Sequence, residues 1–269
     1  MLTYLKKIIQ CNNNNKYYYP KLYVFTGAGI SADSGLATYR GNSNNNTPIW
    51  NEFDVKKYSN YQTWYNNKAE LFHFWNERKK EMINAKPNIA HIGITNLQLS
   101  YPDRVVIATQ NIDTLFEKAG ATDILHVHGS IEYMECKHCH DRWFIGNELY
   151  DKHTTCTKCQ SDKVKPAIVL FGENAPKYRI LYDTFNFRKI HKHDLIVCIG
   201  TSFQVCKLDN IIGYGQYQPG FKILANYEKI PNIDDTRFNY TAFGKIIETW
   251  DNVENLIKEK MKPILIENM

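Results

Sequence analysis

Thr109 to Ser130 reads TQNIDTLFEKAGATDILHVHGS, and the succession of element types inside it decides the fold. It is entered from Arg104–Ala108 (RVVIA), an apolar, β-branched run of buried-strand length. Thr114-Leu115-Phe116-Glu117 has the spacing of a capping box, and Gly120 is placed to stop the helix three residues later. Asp123 to Val127 is a second short strand. Gln110, Asn111, Asp113 and His128 therefore fall just past the carboxyl ends of strands, where open α/β sheets bind ligands. Singly, each has an ordinary reading: Asp113 or Thr114 as a helix cap, His126 and His128 as loop histidines with satisfied hydrogen bonds. Clustered in one corner, they argue for a site.

Working outward, Lys21–Thr26 (KLYVFT) is the first core strand and runs into Gly27-Ala28-Gly29-Ile30-Ser31-Ala32, which fits G-x-G-x-x-G/A. Glycines there let backbone N–H groups approach a pyrophosphate, and the following helical turn presents its positive end. The acidic residue that holds a ribose about 20 positions on in a dehydrogenase is missing. A polar loop, Gly41 to Pro48, stands there instead, which disfavours an ordinary dehydrogenase. Pro166–Phe171 (PAIVLF), Asp194–Ile199 (DLIVCI) and Phe221–Ala225 (FKILA) are further strand-like runs. They end in Gly172-Glu173, Gly200-Thr201-Ser202 and Asn226-Tyr227-Glu228. Helical spacing is carried by Leu71, Phe74, Trp75, Arg78 and Met82, by a segment after Pro87, and by Val253, Leu256, Ile257 and Met261 near the end. Strands alternating with helices predict an α/β fold with a parallel, doubly wound sheet. Residues 1–20 read as a lead-in helix and loop.

The chain has 269 residues, enough for one large domain with a small satellite. Its net charge of +5 comes from scattered lysines, so no sequence-specific nucleic-acid binding is indicated. No stretch reaches the roughly 18 apolar residues of a membrane span. The opening MLTYLKKIIQ lacks the long apolar core of a signal peptide, and an intracellular, cytoplasmic protein is expected. Four of the seven cysteines form C-x2-C-x16-C-x2-C: Cys136, Cys139, Cys156 and Cys159. That is zinc-ribbon spacing. Four thiolates complete a tetrahedron around Zn²⁺ with no open position, so one structural rather than catalytic zinc is expected.

Taken together, these segments resemble the sirtuin family of NAD-dependent protein lysine deacylases. The matching pieces are GAGISADSGLATYRG (27–41), TQNID (109–113), HG (128–129), both C-x-x-C pairs, VLFGE (169–173), GTS (200–202) and the asparagine of NYE (226–228). The resemblance implies a Rossmann-like parallel sheet with helices on both faces, plus a small zinc-ribbon and helical module. Residues 20–41, 88–130 and 167–269 would form the NAD-binding domain, 42–87 the helical module and 131–166 the ribbon, with 1–19 leading in. Gly27, Ala28, Gly29, Ser31, Asp33, Tyr39 and Arg40 would belong to the loops over NAD. Gln110, Asn111, Ile112 and Asp113 would face the nicotinamide ribose and carboxamide. Gly200, Thr201, Ser202, Asn226, Tyr227, Glu228 and Phe243 would lie along the adenosine half. Val169, Phe171, Gly172 and Glu173 would border an acyl-lysine peptide bound as an added strand.

By the same resemblance His128 would be the general base and Asn111 and Asp113 would complete the catalytic set. The acyl oxygen would attack the ribose carbon as nicotinamide leaves, and the base would then deprotonate a ribose hydroxyl. A histidine with an ordinary pKa near 6.5 suits that task at neutral pH. Thr38-Tyr39-Arg40 and the segment Trp75-Asn76-Glu77-Arg78 resemble the branch that removes succinyl, malonyl or glutaryl groups. Trp75 replaces that branch's tyrosine, while Arg78 keeps a guanidinium able to pair with an acyl carboxylate. Two further departures are Cys206-Lys207 after GTSxxV, where proline is common, and Thr241-Ala242-Phe243 in place of a small Gly-x-Ala at adenine. An NAD glycohydrolase or ADP-ribosyltransferase would use the same pocket, and a non-catalytic zinc-containing interaction module is the third alternative.

Overall fold

Alternation within the β-branched runs dictates how the sheet is covered. The computed structural model describes residues 11–12, 15–38, 59–186, 188–213 and 220–266. Tyr39, Arg40 and the polar loop from Gly41 lie outside them. In chain order the elements are β1 (Cys11–Asn12), β2 (Asn15–Tyr18), β3 (Leu22–Thr26), α1 (Gly29–Ala32), α2 (Lys68–Asn84) and α3 (Ile89–Ser100). There follow β4 (Val105–Thr109), α4 (Leu115–Lys118), β5 (Ile124–His126), β6 (Gly129–Cys136), β7 (Arg142–Phe144), β8 (Val164–Ile168) and α5 (Tyr178–Thr184). The chain continues through β9 (Leu195–Ile199), α6 (Asp209–Ile212), β10 (Phe221–Asn226), β11 (Tyr240–Phe243), α7 (Ile246–Lys260) and β12 (Ile264–Ile266).

Six strands pair in the order β11-β10-β9-β3-β4-β5, all parallel. Counted from β3, this is the 3-2-1-4-5-6 order of the Rossmann fold, with its switch point between β3 and β9. Leu22, Val24, Ile107, Leu195, Val197, Ile223 and Ala225 point to one face, where α3 and α7 bring Ile94, Leu97, Trp250, Val253 and Ile257. Tyr23, Phe25, Ala108, Ile196, Cys198 and Leu224 point to the other, against Leu181 and Phe185 of the α5 segment and Ile211 and Ile212 of α6. The sheet is thus buried on both sides, as a parallel sheet requires. At the start of α3, Asn88 and His91 form a capping box.

Two expectations change. Residues 11–12 and 15–18 form strands rather than a helix and loop: β2 pairs antiparallel with both β1 and β12. The run around Ile168 is a strand of a second, antiparallel sheet, β7-β6-β8, not of the parallel one. The cause is Gly129, which turns the chain at φ +88; a Cβ there would lie 2.0 Å from Ala167 O, so only glycine brings β6 this close to β8. Behind this sheet, Leu71, Phe72, Phe74 and Trp75 of α2 pack with Ile131, Met134, Tyr150, Cys156 and Val164 in a third hydrophobic cluster. No helix among the described residues is long and apolar enough to cross a membrane.

Candidate active site and metal centre

The switch point is built from backbone alone. Gly27 N–H donates to Ile199 O (3.0 Å) and Gly29 N–H to Gly200 O (2.9 Å). A Cβ on Gly200, whose φ is +60, would meet Ile30 N at 2.2 Å, and one on Gly29 would meet Gly200 Cα at 2.6 Å. Glycine is therefore required on both sides of the switch point. Beside this contact opens a cleft of about 230 Å³ lined by Gly29, Ala32, Asp33, Ile199, Gly200, Ala225, Asn226, Tyr227, Gly244, Lys245 and Ile246. Glycine backbone, an apolar slot and the flanking Asp33, Asn226 and Lys245 are a donor set that fits a nucleotide. Gly27, Ala28, Ser31, Thr201, Ser202, Glu228 and Phe243 are not among its lining residues. Gly244, Lys245 and Ile246 were not expected there. Their signal is the glycine at a strand-to-helix turn, one residue beyond the Thr241-Ala242-Phe243 segment named above.

Next to the cleft, the corner after β4 is a hydrogen-bonded wall. Asn111 Nδ2 donates to Ser31 Oγ (3.0 Å), which in turn donates to Asp113 Oδ2 (3.0 Å). Asp113 Oδ1 accepts from Leu115 N–H (3.1 Å). Burial pushes the Asp113 carboxyl above its ordinary range, opposed by the Leu115 N–H and the Ser31 hydroxyl. The capping box expected at Thr114 and Glu117 does not form. Asp113 caps α4, and Glu117 turns to His126, whose Nε2 lies 2.7 Å from Glu117 Oε1 while Nδ1 faces Asn111 O at 2.9 Å. Burial works against a charged His126, and Glu117 outweighs it, so its pKa is raised. Gln110 Nε2 donates to Thr201 Oγ1 (2.9 Å), and Asn226 spends its amide on the Thr201 backbone, accepting from N–H (3.0 Å) and donating to O (2.9 Å).

His128 closes this corner. Its Nδ1 lies 2.9 Å from Gln110 O and its Nε2 2.9 Å from Tyr178 Oη. A carbonyl can only accept, so Nδ1 carries the proton and Nε2 the lone pair. Burial lowers the imidazole pKa, with the Gln110 carbonyl opposing it, so the ring is neutral at pH 7. His128 O accepts from Val169 N–H (2.8 Å), which leads directly into the 169–173 segment. There Phe171 N–H donates to Ser59 O (2.9 Å) and Phe171 O accepts from Tyr61 N–H (2.8 Å). Trp75 Nε1 donates to Ser59 Oγ (3.2 Å), while Arg78, one turn on, pairs with Glu81 (2.8 Å). Glu173 is turned inward: its carboxylate holds Lys137 (2.9 Å), the buried Lys165 (3.0 Å) and Leu170 N–H (3.0 Å).

The four expected cysteines converge, with all ligand atoms within 4.8 Å of one another. Cys136 and Cys159, and Cys139 and Cys156, have sulfurs 3.6 Å apart. Tetrahedral Zn–S bonds of about 2.3 Å call for sulfurs roughly 3.8 Å apart, so the set fits zinc. The two C-x2-C segments, 136–139 and 156–159, make the same kind of backbone turn. His140 N–H and Gln160 N–H return to Cys136 O and Cys156 O (3.0 and 2.9 Å), and both residues take positive φ, 61 and 60.

Comparison with known proteins agrees with this geometry. Residues 27–207 match the model of the Sir2 family. A protein of Helicobacter hepaticus named NAD-dependent protein deacylase is 33% identical, covering 89% of this chain and 98% of that one. NAD-dependent protein deacylase 2 of Archaeoglobus fulgidus is 31% identical, over 87% and 90%. Among solved structures, a mutant Sir2 homologue in complex with ADP-ribose superposes with a TM-score of 0.75 at 26% identity, over 90% of this chain and 93% of that one. A Sir2 homologue–NAD complex gives 0.73 at 26% identity, over 91% of each. The matched range holds the glycine-built switch point, the Asn111-Ser31-Asp113 wall, His128 and the four cysteines, and with relatives 31–33% identical over nearly their whole length the chain belongs to the Sir2 family.

Proposed function

We propose that this protein is an NAD-dependent protein lysine deacylase in which His128 is the general base and Asn111 and Asp113 form the polar wall beside the nicotinamide ribose. The observation that carries the reading is the fixed tautomer of His128. Gln110 O holds Nδ1–H, so the basic nitrogen is Nε2, on a ring already neutral at physiological pH. NAD, when bound, supplies the electrophilic ribose carbon and the leaving nicotinamide. Asp113 and Asn111, aligned through Ser31, position and stabilise charge at that carbon. Gly29, Asp33, Gly200, Asn226 and Tyr227 line the nucleotide cleft, and Gly27, Ala28 and Thr201 belong to it by resemblance. Tyr39 and Arg40 belong to the same loop by resemblance.

Acyl-lysine peptide would add as a strand along Val169–Gly172. Phe171 is already bound on both backbone groups to Ser59 and Tyr61, and Leu170 on both to Glu173, so these two residues do not supply the backbone partners of the peptide. Ser59 also holds Trp75, which joins the acyl-recognition helix to the peptide edge. Arg78 is the candidate reader of an acidic acyl group. The zinc set is remote from His128 in role and holds the small sheet together. Reduced thiols suit an intracellular, reducing compartment.

One assay tests the reading: nicotinamide release from NAD with and without acetyl- and succinyl-lysine peptides. Release only with peptide supports deacylation, whereas release without it supports glycohydrolysis. His128→Ala lowers formation of deacylated peptide by about 10²–10⁴-fold with zinc content and circular dichroism unchanged. Arg78→Ala lowers succinyl turnover about tenfold or more relative to acetyl turnover, the loss of a hydrogen-bonded charge pair. Equal effects on both peptides would remove Arg78 from acyl recognition.

A further inference from the structure

Nε2 of His128 has one lone pair, and in this structure a phenol occupies it. Tyr178 is the first residue of α5, and its Oη lies 2.9 Å from Nε2, the two rings tilted by 53° at 5.8 Å. Because Nδ1–H is held by Gln110 O, Nε2 must accept and Tyr178 O–H must donate. The Tyr178 hydroxyl has a second neighbour, the buried thiol of Cys206, with which it is hydrogen-bonded. Cys206 is one of the two positions where the loop after Gly200-Thr201-Ser202 departs from the family pattern. That loop is held firmly. Thr201 is clamped by Asn226, and Phe203, at φ +53 in a conformation bulky residues avoid, stacks 6.3 Å from Phe25.

Burial pushes Tyr178 well above the usual phenol range, and Cys206 beside it adds to the shift. Burial also raises the Cys206 thiol to about 11. Both groups are therefore protonated at neutral pH, with the Tyr178 O–H on His128 Nε2 and the Cys206 sulfur beside the phenol as the other acceptor it can turn to. Besides Tyr178, Tyr182 from α5 touches this cluster, 5.7 Å from the Tyr178 ring. At the imidazole itself, burial lowers the titration and the Gln110 carbonyl on Nδ1 opposes it, while Nε2 meets the phenol.

A single lone pair cannot accept from Tyr178 and from a substrate hydroxyl at once. We propose that Tyr178 is a positioning residue that seats the base in the absence of NAD, its hydroxyl standing where the substrate hydroxyl will bind, and that substrate displaces it towards the Cys206 sulfur. The inference rests on His128 being the base. It predicts a division between states. Before NAD binds, the phenol stabilises the lone-pair form of His128 and holds its titration down; once NAD is bound, it no longer does.

The test compares wild type with Tyr178→Phe, which keeps the ring and its packing on Tyr182. In the NAD-free protein, the His128 imidazole is titrated by ¹H–¹⁵N NMR, a readout independent of turnover. Loss of the hydroxyl moves its midpoint up by roughly 0.5–1 pH unit, the worth of one neutral hydrogen bond. The acid limb of kcat/KM for NAD moves up by the same amount, while the acid limb of kcat stays in place. An unmoved NMR midpoint would show that the phenol is not on Nε2. A kcat limb that moves as far as that of kcat/KM would show that Tyr178 stays on the base through turnover. Either result overturns the proposal. If His128→Ala retains activity while the NMR midpoint still responds to Tyr178→Phe, the reading of His128 as base fails and the contact stands.

Discussion

Ser31 was expected among the phosphate-loop residues, and its hydroxyl instead joins Asn111 to Asp113 across 82 positions of chain. It is 2% exposed, so no water can replace it there. A buried carboxylate is costly, and Asp113 has two donors holding it, the Leu115 N–H and this hydroxyl. Ser31→Ala removes one of them. A hydrogen bond to a charged group contributes about 1.5–3 kcal/mol, so kcat/KM for NAD falls about tenfold to a hundredfold. Initial rates at limiting NAD, with zinc content as a control, check this. A loss under about twofold would mean that Asp113 does not depend on Ser31. The positions of Gln110, Asn111, Asp113 and His128 were legible because strand ends are legible, and strand ends in a parallel sheet share one rim. Which side chains meet was not. Thr114 and Glu117 have capping-box spacing, but Asp113 takes the cap and Glu117 pairs with His126, a long-range partner that no local pattern reveals.

At the scale of elements, the informative case is the segment from β8 to Glu173. Its β-branched residues announce a strand, but propensity says nothing of the partner, and the turn at Gly129 hands it to the antiparallel sheet of the zinc module. The cysteine spacing, by contrast, was decisive, because two C-x2-C turns admit few arrangements around one tetrahedral ion. The two features are connected by charge. Lys137, inside the first cysteine turn, and Lys165, on β8, both reach Glu173, and Lys165 also reaches Glu135 (2.9 Å). Burial would raise the Glu173 carboxyl, and the two ammonium groups with the Leu170 N–H pull it below its ordinary range instead. Glu173 thus locks the 169–173 segment, the proposed peptide edge, to the four-cysteine module. Glu173→Ala strips a fully buried lysine of one of its two carboxylates. Removing one partner of a buried pair costs about 3–5 kcal/mol, and the remaining Glu135 holds the loss to the lower end. Urea unfolding should show this loss with zinc bound, and KM for acyl peptide should rise more than KM for NAD. Equal rises would separate Glu173 from the peptide edge.

At the scale of the whole molecule, buried histidines set how stability responds to acid, and two of them act in opposite directions. His91 is fully buried at the start of α3, and burial lowers its pKa to about 3. The unfolded chain takes up a proton near pH 6.5 while the fold does not. The stability His91 confers is therefore complete above the unfolded value and is lost as pH falls from there towards 3. His126 has a raised pKa through Glu117, so its contribution is complete at low pH and is lost as pH rises through the folded value. A wild-type profile sums both, together with acid release of metal from the cysteine cluster. His91→Gln isolates the first, because glutamine at that position keeps a side-chain acceptor for the Asn88 backbone N–H of the capping box and carries no titrating group. Urea midpoints are compared for the two proteins at pH 7 and pH 5. The advantage of wild type over the variant shrinks by about 2 kcal/mol on acidification, the integral of one proton between an unfolded pKa of 6.5 and a much lower folded one. Metal release and His126 are common to both proteins and cancel in the difference. Parallel profiles would mean that His91 opens to water and charges without unfolding, and that the α3 cap is not a fixed part of the fold at pH 5.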